Sequence, residues 1–165
     1  MAFFMAAHSA IAGVREVDLM QKQKQTLLSF PPINPKAKGE SLLGSGKVRL
    51  LLFWASWCPY CKQAIADLTP AYSQWLTKGA AFYVISIDET QASAETYLSR
   101  SPIRMPVWWG GIKAKKDFQI SSLPTILILD DNNRILSEYA GYGGERYAYM
   151  KKRLNRLLQN HVEDE

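Results

Sequence analysis

The stretch Phe53-Trp54-Ala55-Ser56-Trp57-Cys58-Pro59-Tyr60-Cys61 decides how this chain folds. It contains both cysteines of the 165-residue sequence, and it continues an apolar run that begins at Val48 and is interrupted only by Arg49. Such a run predicts a strand that is buried on both faces of a mainly parallel sheet. The cysteine pair therefore follows directly after a core strand.

An amphipathic helix is predicted after that strand, because apolar residues recur with helical spacing at Ala64, Ile65, Leu68, Tyr72, Trp75 and Leu76. Pro59 takes an early helical position, where a missing amide hydrogen costs little, and Pro70 is expected to kink the helix. Cys58 then lies at the junction of strand and helix. Free amide hydrogens and the positive end of the helix dipole stabilise a thiolate there.

This placement predicts different roles for the two cysteines. Cys58 attacks a disulfide of another protein, and Cys61, one turn later and buried, resolves the mixed disulfide. A zinc half-site would need two further ligands, but the chain has no other cysteine, and His8 and His161 lie near opposite ends. A purely structural bridge would close too short a loop to stabilise the fold much. The redox-active disulfide needs no bound metal or organic cofactor.

A second motif, Ser122-Leu123-Pro124-Thr125, precedes the apolar run from Ile126 to Leu129. With the cysteine stretch, it resembles the thioredoxin-like thiol-disulfide oxidoreductases, and within them the exported bacterial branch of TlpA and ResA type proteins. The resemblance covers about Leu27 to Leu158. It implies an α/β thioredoxin fold with a central mixed β-sheet flanked by helices, an N-terminal extension and an inserted helix.

The resemblance also implies further site residues. Pro124 would be a cis-proline beside the reactive cysteine, and the backbone of Leu123 would pair with an extended substrate segment. The alternative is an ordinary trans proline that starts a strand. Trp57 and Tyr60 flank the cysteines and would supply an apolar docking surface, whereas Trp54 better fits the core.

Two positions depart from the pattern of the family. Thioredoxin has a buried aspartate six residues before its first cysteine, and ResA-like proteins often have a glutamate three residues after the second. This chain has Leu52 and Ala64 there, so the proton of Cys61 must go to water or to another residue. The intervening pair, Pro59 and Tyr60, is that of glutaredoxins, which implies a potential between about −270 mV for thioredoxin and about −120 mV for DsbA. The family resemblance favours a reductant or isomerase-like role, and a disulfide-donating oxidase is the alternative.

Composition predicts one domain, with 47% hydrophobic and 21% charged residues. Residues 1–26 are expected to be a signal or anchor remnant and a flexible arm, residues 27–160 the thioredoxin-like domain, and residues 161–165 an acidic tail. A short helix is the alternative to a loose arm within 14–29. The apolar segment 1–12 ends in a small-x-small pattern, which favours a periplasmic or otherwise extracytoplasmic protein. It has no positive n-region, so a cytoplasmic protein is the alternative.

The rest of the chain predicts alternating elements, with Asp131, Asn132 and Asn133 forming a turn. The elements expected after the cysteine helix are a strand at 81–87, a surface helix at 90–100, a partly exposed extended segment at 105–109, a short helix at 113–118, strands at 125–129 and 134–140, and a final helix at 145–159. That helix is basic, and the chain carries a formal charge of +5. Without a nucleic-acid motif, we interpret its charges as a solvated face.

The implied partners are protein thiols and disulfides, with a membrane thiol-transfer protein as electron source. No nucleic-acid partner is expected, and the protein is expected to be a monomer. A chaperone-like binding module that displays Trp108 and Trp109 to a client is an alternative of a different class. A peroxidase of the peroxiredoxin type is disfavoured, since neither cysteine lies in that family's Thr-x-x-Cys pattern.

Overall fold

A computed structural model describes residues 17–160 of the chain. Six strands form one sheet in the order β1-β6-β5-β2-β3-β4. The elements along the chain are β1 (Val17–Asp18), α1 (Gln21–Leu28), β2 (Val48–Trp54), α2 (Pro59–Thr77), β3 (Ala80–Ser86), α3 (Gln91–Arg100), β4 (Val107–Trp109), α4 (Gly111–Asp117), β5 (Thr125–Asp130), β6 (Arg134–Ala140) and α5 (Gly144–Asn160).

Strand β2 occupies the interior of the sheet, as its apolar run predicts. It runs parallel to β3 and antiparallel to β5, and every residue in it is buried. The one charged member, Arg49, donates from its guanidinium to the carbonyl oxygens of Gly44 and Asp131, at 2.7 Å and 3.0 Å, and to the side chain of Asn133. These contacts connect the middle of the core to the turn between β5 and β6.

Helices cover both faces of the sheet, because successive side chains of a strand point to opposite sides. On one side Trp54 packs against Tyr97 of α3, with ring centroids 5.4 Å apart. On the other side Phe53 packs against Phe118, just after α4, at 5.0 Å. Helices α2 and α5 meet where Trp75 donates from Nε1 to Oδ1 of Asn155 at 2.6 Å. The cysteine helix is therefore held on both the sheet and the last helix.

The N-terminal part of the domain corrects the expectation of a flexible arm up to residue 26. Strand β1 pairs antiparallel with β6, so β6 is not the outermost strand, and α1 is docked on α4. Thr26 donates from Oγ1 to the Asp117 carboxylate at 2.6 Å, while Lys22 forms an ion pair with Asp117 at 2.7 Å. Leu27 beside them is fully buried. The predicted signal or anchor segment 1–12 and the acidic tail 161–165 lie outside the described residues.

Strand β4 corrects a second expectation, since residues 105–109 are not an exposed segment. Trp108 is only 2% exposed, because the loop after α1 pairs with β4. Ile33 donates its backbone N–H to the carbonyl of Val107 at 2.9 Å, and Trp109 donates to the carbonyl of Pro31 at 3.0 Å. The alternative of a binding module that displays Trp108 and Trp109 to a client is therefore contradicted at Trp108, while Trp109 is half-buried.

The final helix α5 buries Tyr147, Met150, Leu154 and Leu158 against the sheet. Part of its basic charge has protein partners: Lys151 pairs with Asp67 at 2.8 Å, and Arg153 donates to the carbonyl of Leu136 at 3.1 Å. Among residues 17–160, no helix is long and apolar enough to cross a bilayer.

Candidate active site

The two cysteines form a disulfide at the start of α2, with their Cα atoms 5.3 Å apart. Cys58 is the N-cap residue and Pro59 the first helical residue, as the sequence predicted. The backbone N–H of Cys61 donates to Sγ of Cys58 at 3.1 Å. In the reduced protein, this N–H and the positive end of the helix dipole would favour the thiolate at Cys58.

The two sulfur positions differ in their access to solvent. Cys61 is fully buried, whereas Cys58 keeps 5% of its surface exposed at the floor of a cleft. The aromatic side chains next to Cys58 are open, with Trp57 67% exposed and Tyr60 60% exposed. A protein disulfide can therefore approach Cys58 but not Cys61, and it meets apolar rings as it does so.

The loop before β5 comes to the same place through strand pairing. Thr125 pairs with Phe53 across β5 and β2, which brings the preceding residues next to the cysteine loop. The peptide bond between Leu123 and Pro124 is cis, as the resemblance implied. The carbonyl of Pro124 accepts a hydrogen bond from Gly141 at 2.7 Å. Pro124 is buried, and Leu123 is half-buried at the edge of the cleft.

The backbone of Leu123 is free to pair with another chain. Among residues 17–160, neither its N–H nor its C=O has a hydrogen-bond partner. Extended segments bind to such groups by adding a strand, and pockets beside the strand then select the side chains. The structure thus offers a main-chain contact for an extended peptide next to the exposed face of Cys58.

A cleft of about 350 Å³ opens beside Cys58, and we call it the active-site cleft. Its walls are mainly apolar, and among the described residues Lys115 is the one charged residue that lines it. The other main lining residues are Trp57, Tyr60, Ile87, Ile120 and Leu123. All the predicted site residues except the buried Pro124 therefore line this cleft or, for Cys61, lie directly beneath it.

The two positions where relatives of this kind carry an acid are apolar here. Leu52 and Ala64 are both fully buried. The carbonyl of Ala64 accepts a hydrogen bond from the hydroxyl of Tyr147 at 3.3 Å. Burial, with the nearby charge of Asp67, raises the pKa of Tyr147 well above its ordinary value. That hydroxyl therefore stays protonated and is not a base for Cys61.

A buried carboxylate near the cysteine loop was missed by the sequence reasoning. Asp88 is 1% exposed and accepts hydrogen bonds from the backbone N–H and the hydroxyl of Ser56, and from the hydroxyl of Ser86. The pairing of β2 with β3 could have indicated this contact, because the two strands are parallel and Trp54 pairs with Ser86. The same register, continued past the ends of both strands, places Ser56 beside Asp88.

This arrangement defines the class of the protein. A mixed sheet that places a cysteine pair, at the start of a helix, beside a cis-proline loop is the architecture of thioredoxin-fold proteins. A family model described as thioredoxin-like matches residues 46–135, which is more than half of the chain. The chain belongs to this thioredoxin-like family.

Curated relatives agree with the predicted resemblance to ResA. The chain is 25% identical over 110 residues to the thiol-disulfide oxidoreductase ResA of Bacillus thuringiensis subsp. konkukian, covering 65% of this chain and 64% of that protein. It is 32% identical over 123 residues to probable nucleoredoxin 2 of Oryza sativa subsp. japonica, covering 68% of this chain and 31% of that protein. The chain thus spans less than two thirds of the length of these relatives.

Solved structures support the fold. A putative thiol:disulfide interchange protein DsbE from Chlorobium tepidum superposes with a TM-score of 0.69 at 19% identity, covering 88% of this chain and 99% of that one. StoA from Bacillus subtilis superposes with a TM-score of 0.60 at 18% identity, covering 79% and 98%. The α/β thioredoxin fold predicted from the two motifs is confirmed.

Proposed function

We propose that this protein is a thiol-disulfide oxidoreductase that exchanges disulfides with protein substrates through Cys58 and Cys61, outside the cytoplasm, as a reductant or isomerase-like factor. The observation that carries the proposal is the placement of Cys58. It is the one cysteine open to the active-site cleft, it caps α2, and it lies beside the unpaired backbone of Leu123. Its curated relatives are named for the same activity.

The reaction proceeds in two exchanges. The Cys58 thiolate attacks one sulfur of a substrate disulfide, the substrate S–S bond breaks, and one substrate thiolate leaves. The Cys61 thiol then attacks Sγ of Cys58, which releases the second substrate sulfur and forms the Cys58–Cys61 disulfide. Two electrons pass to the substrate. Because Leu52 and Ala64 supply no base, the departing substrate thiolate takes the Cys61 proton, directly or through water.

The oxidised protein must then be reduced again by a donor of two electrons and two protons. In an oxidising compartment a membrane thiol-transfer protein fits that role. The resemblance of the two motifs to the exported branch supports a location outside the cytoplasm. Fractionation of cells that make the full chain, with thiol alkylation of each fraction, tests both the compartment and the redox state there.

Single cysteine variants test the chemistry. We expect Cys61→Ser to accumulate mixed disulfides with disulfide-containing proteins, because Cys58 still attacks their disulfides but nothing resolves the intermediate. Cys58→Ser should form none, because Cys61 is buried. The two variants are incubated with a disulfide-containing protein substrate, and the mixed disulfides are compared on non-reducing gels. Equal trapping by both variants, or by neither, would contradict the proposal.

The direction of electron flow is tested by equilibrating the protein with graded glutathione buffers and counting free thiols by alkylation and mass. A reduction potential at or below about −250 mV would mark an electron donor. A potential above about −180 mV would mark a disulfide-donating oxidase or an isomerase, with a strongly stabilised thiolate at Cys58.

A further inference from the structure

We propose that Lys115 makes the active-site cleft selective for substrates that carry an acidic side chain close to the disulfide that is attacked. This inference rests on the proposed function, and it names the substrate class for the same site. It starts from the charge of the cleft. Among the described residues that line it, Lys115 alone is charged, and the remaining walls are apolar or carry the hydroxyls of serines and of Tyr60.

The cleft also extends beyond Cys58 on the side of Lys115. A second depression of about 730 Å³ shares Trp57, Ile87, Lys115 and Ile120 with the active-site cleft. An extended peptide advances about 3.3 Å per residue, so a substrate segment that crosses Cys58 has room for several residues along these two depressions. Lys115 lies at the point that both depressions share.

The ammonium group of Lys115 is available to a substrate. The residue is exposed on α4, and among residues 17–160 its ammonium has no ion-pair or hydrogen-bond partner. Of the other lysines of this region, Lys113 donates to the hydroxyl of Ser29 at 3.2 Å and Lys22 pairs with Asp117. Lys116 is exposed and lines the second depression, but it does not line the active-site cleft. Lys115 is thus the lysine of α4 that lies at the active-site cleft itself.

The acidic groups nearby do not neutralise that position. The buried carboxylate of Asp88 lines the second depression, but three hydrogen bonds from Ser56 and Ser86 already satisfy it. Glu89 is exposed and lines the second depression, but it does not line the active-site cleft. A substrate carboxylate beside the attacked cysteine would therefore meet Lys115 first, and complementary charge would favour that substrate and repel a basic one.

The test compares two peptide disulfides that are identical except for aspartate or lysine next to the attacked cysteine. The reduced full-length protein should turn over the aspartate peptide with a kcat/KM that is roughly 2- to 5-fold higher, as expected for an exposed ion pair. The preference should shrink at high salt, because ions screen such contacts. The variant Lys115→Glu should reverse it.

The matched control is Lys113→Glu, which makes the same charge change on the same helix but lines neither depression. We expect it to keep the preference of the unchanged protein. If the unchanged protein turns over both peptides equally, or if Lys113→Glu shifts the preference as much as Lys115→Glu, the role of Lys115 is overturned and the proposed function stands. If neither peptide is turned over in a Cys58-dependent way, the proposed function itself fails.

Discussion

Asp88 holds Ser56 with two hydrogen bonds, one from the backbone N–H at 3.0 Å and one from the hydroxyl at 2.7 Å. Ser56 lies two residues before Cys58, in the loop that turns from β2 into α2. The buried carboxylate therefore fixes the backbone on which the reactive sulfur and the exposed ring of Trp57 are placed.

We predict that Asp88→Asn lowers the free energy of unfolding by about 1–3 kcal/mol, because a buried donor of Ser56 or Ser86 is left without an acceptor. Exchange at Cys58 should slow by on the order of 10-fold, since the loop loses its fixed position. Urea unfolding and the rate of exchange with a small disulfide measure the two effects. The exposed neighbour Glu89→Gln is the control, and a variant Asp88→Asn with unchanged stability and rate would contradict this role.

Combining Asp88→Asn with Ser56→Ala isolates the contact. Because the two side chains touch, the double variant should lose less stability than the sum of the single variants. Strict additivity would show that the hydroxyl of Ser56 does not act through Asp88.

We predict that Trp57→Ala impairs exchange with protein disulfides far more than exchange with a small disulfide. Trp57 is 67% exposed, so the free energy of unfolding should change by no more than about 0.5 kcal/mol. Loss of a docking tryptophan should still cost about 1 kcal/mol or more in substrate binding, seen as a higher KM. Tyr149→Ala removes another exposed ring, 48% exposed, from α5 and should leave both KM values unchanged. A parallel loss with both substrates would argue against docking by Trp57.

The contact between α1 and α4 should make stability depend on pH in the acid range. Hydrogen bonds from Lys22 and Thr26 hold the pKa of Asp117 below its ordinary value of 3.8. The contribution to stability is therefore complete above that ordinary value and is lost as the pH falls through the lower, folded-state pKa. Asp117→Asn should be less stable than the unchanged protein near neutral pH, and the difference should shrink below pH of about 4. Urea unfolding at a series of pH values checks this, and a constant difference at all pH values would refute it.

We predict that the buried guanidinium of Arg49 cannot be replaced by lysine. The fork of Arg49 reaches Gly44, Asp131 and Asn133 from one side chain, which a single ammonium cannot do. Arg49→Lys should lower the free energy of unfolding by about 2–4 kcal/mol, because a buried charge and several carbonyls lose their partners. The same substitution at the exposed Arg134 should change it by less than about 0.5 kcal/mol. Equal effects at the two sites would refute the role of the fork.

The local sequence pattern predicted the features that are determined by interactions between residues close in sequence. The apolar runs identified β2, β3 and β5 to within a residue or two, because strands buried on both faces consist mainly of apolar residues. Cys58 and Pro59 marked the helix start, since both fit its first positions for steric and electrostatic reasons. The family resemblance then supplied the cis-proline loop, which no local pattern determines.

Contacts between distant residues were beyond the reach of that reasoning. Thr26 reaches Asp117 across 91 positions, so the polar segment before it gave no sign that α1 would dock. Trp108 belongs to the segment 105–109 that was expected to be partly exposed, and its burial depends on a loop that pairs with β4 from far along the chain. The position of Lys115 in the active-site cleft was not predicted either, because it depends on the packing of α4 beside Cys58.

The pairing at the two edges of the sheet has a consequence for solubility. One edge is closed by the two-residue strand β1 and the other by the three-residue strand β4, whose outer side already pairs with the loop at Pro32. Short and covered edges resist the edge-to-edge association that leads to aggregation. The backbone of Leu123, by contrast, has no hydrogen-bond partner in the described part of the chain and lies open beside the reactive sulfur. Under the proposed function, extended segments of other chains bind where they can react and be released, and the sheet edges stay shielded from the same segments.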